Sequence, residues 1–237
     1  MEVPPASKAP HNPAVLCPDT AALLPPGVVA AQLNGGADIG LLMPEEAAVI
    51  RHCAAKRIGD FAAGRACARR ALQQFQLGDF PLLPSPQGPP LWPATMVGSI
   101  THTKGYAAAA VCRADAVRSV GLDSEEVASV KEHVWNSICD PRELAALHCE
   151  PPHHRLRRAA VIFAAKEAFY KCQFPLTHEW LDFADVLVEF GDWPADAGQF
   201  KVVPQRRLHL QSLTGARLAG RFRFHDQFVT AGFAVQA

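Results

Sequence analysis

Proline decides where this chain can be regular. Pro4, Pro5, Pro10, Pro13, Pro18, Pro25 and Pro26 crowd its start, and Pro81, Pro84, Pro86, Pro89, Pro90 and Pro93 surround Gly88. Each removes a backbone donor and fixes φ, so neither stretch suits a helix interior or a central strand. Residues 1–15 are expected to be mobile. Between the clusters, Val28–Leu33 reads as a strand and Pro44–Phe75 as helical segments, rich in Ala, Arg and Leu and opening on proline before two acidic residues. After the second cluster, Val97–Ile100 and Tyr106–Cys112 are short apolar segments split by Thr101-His-Thr-Lys-Gly105, a strand, turn, strand arrangement. From Glu125 to about Cys172 the chain is more helical. Phe183–Phe190, Phe200–Val203, Arg206–Leu213, Arg217–Phe224 and Phe228–Val235 then alternate like antiparallel strands. Both halves mix helix with strand, and no internal repeat is visible.

A chain of 237 residues, 49% of them hydrophobic, can bury a sizeable core as one large or two small domains. Its 23 basic and 23 acidic residues cancel, which argues against broad phosphate neutralisation and so against a nucleic-acid binder. Seven cysteines without a CxxC pair fit reduced thiols in a cytoplasm. No basic N-terminal region leads into an apolar core, and no stretch approaches 18 apolar residues, so a soluble, unprocessed protein without membrane contact is expected.

Three carboxylates carry the chemistry. Val120-Gly-Leu-Asp-Ser-Glu125 follows an apolar run and reads as a short strand, which turns Asp123 and Glu125 to the same side. Phe163–Lys171 reads as a helix, being rich in Ala, Lys and Glu with no Gly or Pro. At 100° per residue, Phe163, Lys166, Glu167, Tyr170 and Lys171 share about 140° of its circumference. A strand edge with two carboxylates and a helix face with one can meet at a single metal. All-oxygen ligation suits Mg2+, which takes few protein carboxylates and completes its octahedron with water and substrate phosphate. Singly, these residues have plainer uses: Glu167 and Lys171 are an i,i+4 surface pair, and Asp123 can cap a helix starting near Glu125.

Four segments then fall in order: Lys56-Arg-Ile-Gly-Asp-Phe-Ala-Ala-Gly-Arg65, Gly88-Pro-Pro-Leu-Trp-Pro93 running into Gly98-Ser-Ile-Thr-His102, Gly121-Leu-Asp-Ser-Glu125, and Phe163-Ala-Ala-Lys-Glu-Ala-Phe-Tyr-Lys171. Over roughly residues 57–177 the chain resembles the 4′-phosphopantetheinyl transferases, in the larger type that serves siderophore, peptide and polyketide synthetases. The last segment is the most specific. The resemblance implies an α+β fold of two similar subdomains, 1–118 and 119–237, in a pseudo-twofold arrangement with the active site in the cleft between them. It places coenzyme A phosphates against Arg57, Arg65, His102 and Lys171, with backbone amides near Thr101 assisting, and adenine against Gly88, Pro89 and Pro90. It makes Asp123, Glu125 and Glu167 ligands of Mg2+, with Mn2+ an alternative, and Glu167, Lys171 and Lys166 the catalytic side chains. Physically, Arg57 and Arg65 lie about 80° around and roughly 12 Å along one helix, so their forks can flank a polyanion, although solvated helix arginines look the same in sequence.

The implied reaction moves phosphopantetheine from coenzyme A to a serine of an apo acyl or peptidyl carrier protein and releases 3′,5′-ADP. The protein is expected to act as a cytoplasmic monomer. A metal-dependent hydrolase of coenzyme A or nucleotide diphosphates would need similar ligands, and a non-catalytic carrier-docking subunit is a third reading. Val127, Val130 and Val134 are candidates for carrier docking, though their helical spacing equally fits core packing.

Other patterns carry less. Gly59–Ala66 nearly spells a P-loop, but Arg65 stands for its lysine, Ala66 for its hydroxyl, and no strand precedes it. His148, Cys149, His153 and His154 match no common zinc spacing and flank Pro151-Pro152, which marks a loop. Ser99 lacks the glycine spacing of a nucleophile elbow. Against the family pattern, Ser124 stands where Ile or Ala is usual, and Glu126 follows where Pro is frequent, making it a rival carboxylate. No Lys or Arg flanks Gln87 and Gly88, where Lys104 is the nearest substitute.

Overall fold

The computed structural model describes residues 12–86, 88–191, 193–206 and 218–236. In chain order the elements are Val15–Leu16 (β1), Pro18–Ala21 (α1), Val29–Asn34 (β2), Pro44–Ile50 (α2), Ala55–Leu72 (α3), Met96–Thr103 (β3), Tyr106–Arg113 (β4) and Val117–Glu126 (β5). Then follow Glu132–Ile138 (α4), Pro141–Cys149 (α5), Pro152–Thr177 (α6), Val186–Phe190 (β6), Ala197–Pro204 (β7), Ala219–His225 (β8) and Phe228–Gln236 (β9). Among the described residues the strands form two antiparallel sheets, β1-β2-β4-β3 and β5-β9-β8-β7-β6. One long helix covers each, α3 on β2 and β4, α6 on β5 and β9. The fold is therefore α+β, in two units.

The expected mobility of residues 1–15 lies mostly outside the described residues. Within them, Asn12 donates to the Ala66 carbonyl at 2.9 Å and β1 pairs with β2. The strand expected at 206–213 also lies outside, apart from Arg206. One turn is shorter than expected. Thr101 and His102 belong to β3, paired with Ala108 and Ala107, and the reversal is made by Lys104 and Gly105 alone. Gly105 takes φ 75°, the left-handed conformation that glycine adopts without cost and that a two-residue hairpin needs.

Each unit has its own core, and a third cluster joins them. Alanines of α3 and β4 pack with Leu33, Leu72, Leu82 and Val111 in the first unit, whereas Trp135, Ile162, Phe169, Phe200, Phe222 and Phe233 fill the second. Val28, Tyr106, Ala108 and Ala110 then meet Val120, Leu122 and Phe228 across the boundary. Val130 is buried in the second core, with the partly buried Val127 and Val134 packed against it, so all three contribute to that core.

The same clasp recurs inside each unit, in a way the sequence hides. In the first, Glu46 at the third position of α2 caps its own helix through the Met43 N–H (3.0 Å), takes Arg69 of α3 at 2.6 Å and accepts the Leu82 N–H at 2.9 Å. In the second, Glu143 at the third position of α5 accepts from the Asp140 N–H (2.7 Å), Lys166 of α6 (2.7 Å) and the Val188 N–H (2.7 Å). Both helices open on proline, and all four charged residues are buried. A buried carboxylate persists only when it is paired and hydrogen-bonded, and these three donors, one of them a cation, engage both of its oxygens.

β5 and α6 touch backbone to backbone. A Cβ on Gly121 would lie 1.8 Å from the Ala168 carbonyl oxygen and 2.8 Å from the Cys172 nitrogen. Ser119 reinforces the contact by donating to the Cys172 carbonyl at 2.7 Å.

All seven cysteines are free thiols. Among the described residues, no helix is long and apolar enough to cross a membrane. The near P-loop at Gly59–Ala66 lies inside α3, and His148, Cys149, His153 and His154 flank the short junction of α5 and α6 without forming a metal group.

Candidate active site

The glycine contact sets the site's geometry, because it brings the acidic strand within reach of the helix. Lys171 of α6 holds Asp123 of β5 at 2.5 Å and also reaches the Leu122 carbonyl at 3.4 Å. Thr101 of β3 donates to the same Asp123 oxygen, Oδ1, at 3.1 Å. The second oxygen, Oδ2, is buried with no hydrogen-bond partner among the described residues. Such an atom is costly unless something satisfies it.

Glu125 and Glu167 join Asp123 electrostatically. Burial, then the Asp123 and Glu167 charges, push the Glu125 carboxyl up to about 8 against the opposing pull of Lys171. Glu167 is raised by burial and by Asp123, again against Lys171. Burial works against the Lys171 charge, but Asp123, by charge and hydrogen bond, and the two glutamates outweigh it and hold the ammonium above its ordinary value. As placed, no three His, Cys, Asp or Glu side chains among the described residues form a group that could hold a metal ion. Lys171 stands on Asp123 instead.

His102 brings the first unit to this cluster. Its Nδ1 lies 3.9 Å from Asp60 of α3, which Lys56 also holds at 2.6 Å. Burial lowers the imidazole's proton affinity; Asp60 opposes this, while Lys171, Arg57 and Lys56 add to it. The strand's imidazole, two cations of α3 and Lys171 of α6 therefore share one field. Asp60 was not singled out from the sequence, where its only signal was the i,i+4 spacing to Lys56.

The remaining expected residues divide. Arg57 is exposed at the start of α3, whereas Arg65 is buried, its Nε donating to the Leu82 carbonyl at 2.8 Å and its guanidinium 4.0 Å above the Phe61 ring. Burial brings Arg65 down to about 10, with Glu46 opposing and Arg57 assisting. Gly88, Pro89 and Pro90 lie in a reverse turn, where Gly88, at φ 103°, donates to the Ser85 carbonyl at 3.0 Å and Ser85 to the Pro89 carbonyl at 2.8 Å. Gly98 leaves room for the Trp92 indole, which would lie 2.6 Å from an added Cβ, and this seats the proline-rich stretch on β3.

Lys166 does not belong to the site. It shares a helix with Glu167 but points about 100° away, into the second core, where Glu143 and the Ile138 and Phe183 carbonyls consume its three protons. Thr101 is likewise not an open coenzyme contact through its side chain, since the hydroxyl is buried on Asp123. Glu126 follows on the alternate side of β5 and is not among the charges felt by Glu125, Glu167 or Lys171. Ser124 answers its unusual placement by bonding the Thr230 hydroxyl at 2.8 Å. Lys104 lies in the exposed hairpin turn.

Fold and site thus define a two-unit α+β enzyme with an acidic cluster on one unit and a basic one on the other. Residues 45–112 match the 4′-phosphopantetheinyl transferase N-terminal domain, and residues 119–229 match the 4′-phosphopantetheinyl transferase superfamily. The chain is 37% identical over 207 residues to 4′-phosphopantetheinyl transferase Svp of Streptomyces mobaraensis, covering 84% of this chain and 80% of that protein. It is 39% identical to Npt of Nocardia iowensis (74% of this chain, 79% of that protein) and 44% identical to PptT of Mycobacterium tuberculosis (62% and 65%). The chain belongs to the 4′-phosphopantetheinyl transferase superfamily. The hydrolase reading finds no support in these comparisons.

Proposed function

We propose that the chain transfers the 4′-phosphopantetheine of coenzyme A to a serine of an apo acyl or peptidyl carrier protein and releases 3′,5′-ADP. The observation that carries this reading is the convergence of Asp123, Glu125, Glu167 and Lys171 with His102 and Arg57 where the two units meet. The donor types on the acidic side suit a divalent cation, although as placed, with Lys171 on Asp123, the three carboxylates are not drawn together into a metal-holding group. Three carboxylates share one ammonium, Asp123 Oδ2 is buried without a partner, and no ion pair among the described residues holds Glu125 or Glu167. Asp123, Glu125 and Glu167 would hold Mg2+ or Mn2+, which when bound supplies charge neutralisation for a diphosphate.

The chain's own residues account for the rest. Arg57, His102 and the turn around Gly88, Pro89 and Pro90 would bind the nucleotide end of coenzyme A. Arg65 contributes by anchoring the base of that turn through Leu82. Lys171 places positive charge where the transferred phosphoryl group gathers negative charge, the usual source of catalysis in such transfers. The serine oxygen attacks the β-phosphorus; that O–P bond forms as the bond from phosphorus to the bridging oxygen breaks, and its electron pair leaves on 3′,5′-ADP. Glu167, whose affinity for protons is raised, would take the serine proton directly or through a water. All these groups come from one chain, so the site needs no second subunit, in keeping with a monomer divided near residue 118.

Incubation with coenzyme A, Mg2+ and apo carriers of both types, followed by weighing of the carrier, should show one added phosphopantetheinyl group. Free phosphopantetheine beside unmodified carrier would indicate hydrolysis. Unmodified acyl and peptidyl carriers without turnover would end the transferase reading.

A further inference from the structure

The seam between the two sheets is built from hydroxyl groups. β3 and β5 run side by side in parallel, yet among the described residues they belong to different sheets and pair in ladders only with β4 and β9. Ser99 instead accepts the Leu122 N–H at 3.0 Å, and two residues on Thr101 accepts the Ser124 N–H at 2.9 Å. The rungs differ in one respect. Ser99 donates to the Leu122 carbonyl, whereas Thr101 donates its hydrogen bond to Asp123 Oδ1.

We infer that Thr101 is a positioning residue for the metal ligand Asp123, an inference that rests on the divalent cation proposed above. Its hydroxyl has one proton to give and accepts one from Ser124, so its direction is fixed by the β5 backbone and its own donation is fixed on Oδ1. With Lys171 on the same oxygen, Oδ1 is saturated and Oδ2 is left as the open donor atom of a carboxylate that cannot rotate freely. Partners of this kind orient metal-ligating carboxylates, and their loss commonly weakens metal binding about 10-fold or more. Thr101 is only 1% exposed, so its hydroxyl serves the ligand and not the coenzyme. The neighbouring residue His102 faces the basic side, so adjacent positions of β3 serve the two clusters.

The test is direct binding of Mn2+ to the coenzyme-free protein, read by electron paramagnetic resonance, with coenzyme A binding measured separately without metal. Thr101→Val should raise the Mn2+ dissociation constant about 10-fold and leave metal-free coenzyme affinity unchanged, while Thr101→Ser should restore Mn2+ binding. Ser99→Ala removes the other rung and should lower stability without moving Mn2+ affinity. Should Thr101→Val not fold, Thr101→Cys keeps the volume with a weaker donor and should give an intermediate loss. Unchanged Mn2+ affinity in the folded Thr101 variants, or an equal loss in Ser99→Ala, would overturn the assignment. A fall in metal-free coenzyme affinity alone would make Thr101 a coenzyme contact. If the unmodified protein binds no Mn2+ and matches Asp123→Asn in this, it is the metal reading that fails.

Discussion

Gly121 stands so close to Ala168 that the Ala168 carbonyl oxygen occupies the place a Cβ would take, at 1.8 Å. The obstacle is backbone and cannot rotate away. Gly121→Ala must therefore part β5 from α6, at about 3 kcal/mol or more, the upper range for overpacking. Denaturant unfolding should show the loss, and any folded remainder should bind Mn2+ poorly because Asp123 and Glu167 have moved apart.

Lys166 and Glu143 form a buried pair, and removing one partner strands the other. Lys166→Met should cost about 3–5 kcal/mol, with much of it recovered in the double variant carrying Glu143→Leu. At a temperature where Lys166→Met is folded, its transfer rate should stay near the unmodified value. A large fall in kcat without lost stability would return Lys166 to the catalytic site.

Glu167→Gln keeps shape and removes both a charge and a proton acceptor. Transfer should fall by at least about 100-fold, the scale of general base catalysis, while metal-free coenzyme A affinity is retained. Full activity measured with an apo carrier would remove Glu167 from the mechanism.

The metal-free protein should lose stability as pH rises from about 4.5 to about 8. Over that window Glu125 is protonated in the folded state and ionised in the unfolded state, so the folded state binds more protons and stability declines with pH. Mg2+, by preferring the ionised carboxylates, should reverse the decline, and Glu125→Gln should flatten it. Thermal melts across pH, with and without Mg2+, read both effects.

His102 should titrate below an ordinary histidine, because burial disfavours its charge and Asp60 only partly compensates. Asp60→Asn removes that compensation and should move the titration lower still. The ring-proton shifts of His102 in an NMR titration give the direction in each protein.

The approach of Asp123, Glu125 and Glu167 to one another was legible because a strand's alternation and a helix's turn are fixed by backbone geometry, and both elements formed where expected. Lys166 was not, since a helix wheel gives an angle but not which neighbours lie there, and the packing of α5 decides that it faces inward. The paired clasps escaped notice because each rests on a proline, a glutamate and a distant cation, too few residues to register as a repeat. Thr101 was read into a turn because the alternative, a two-residue reversal at Lys104-Gly105, left the same polar residues beside the glycine.

The hydroxyl rungs at Ser99 and Thr101 make the boundary between the units an editable joint. A shared backbone ladder could be altered only by disturbing both sheets, whereas this seam is written in two side chains, each changeable with both ladders left intact. Its stiffness, and with it the alignment of the basic unit against the acidic one, can be tuned one hydroxyl at a time.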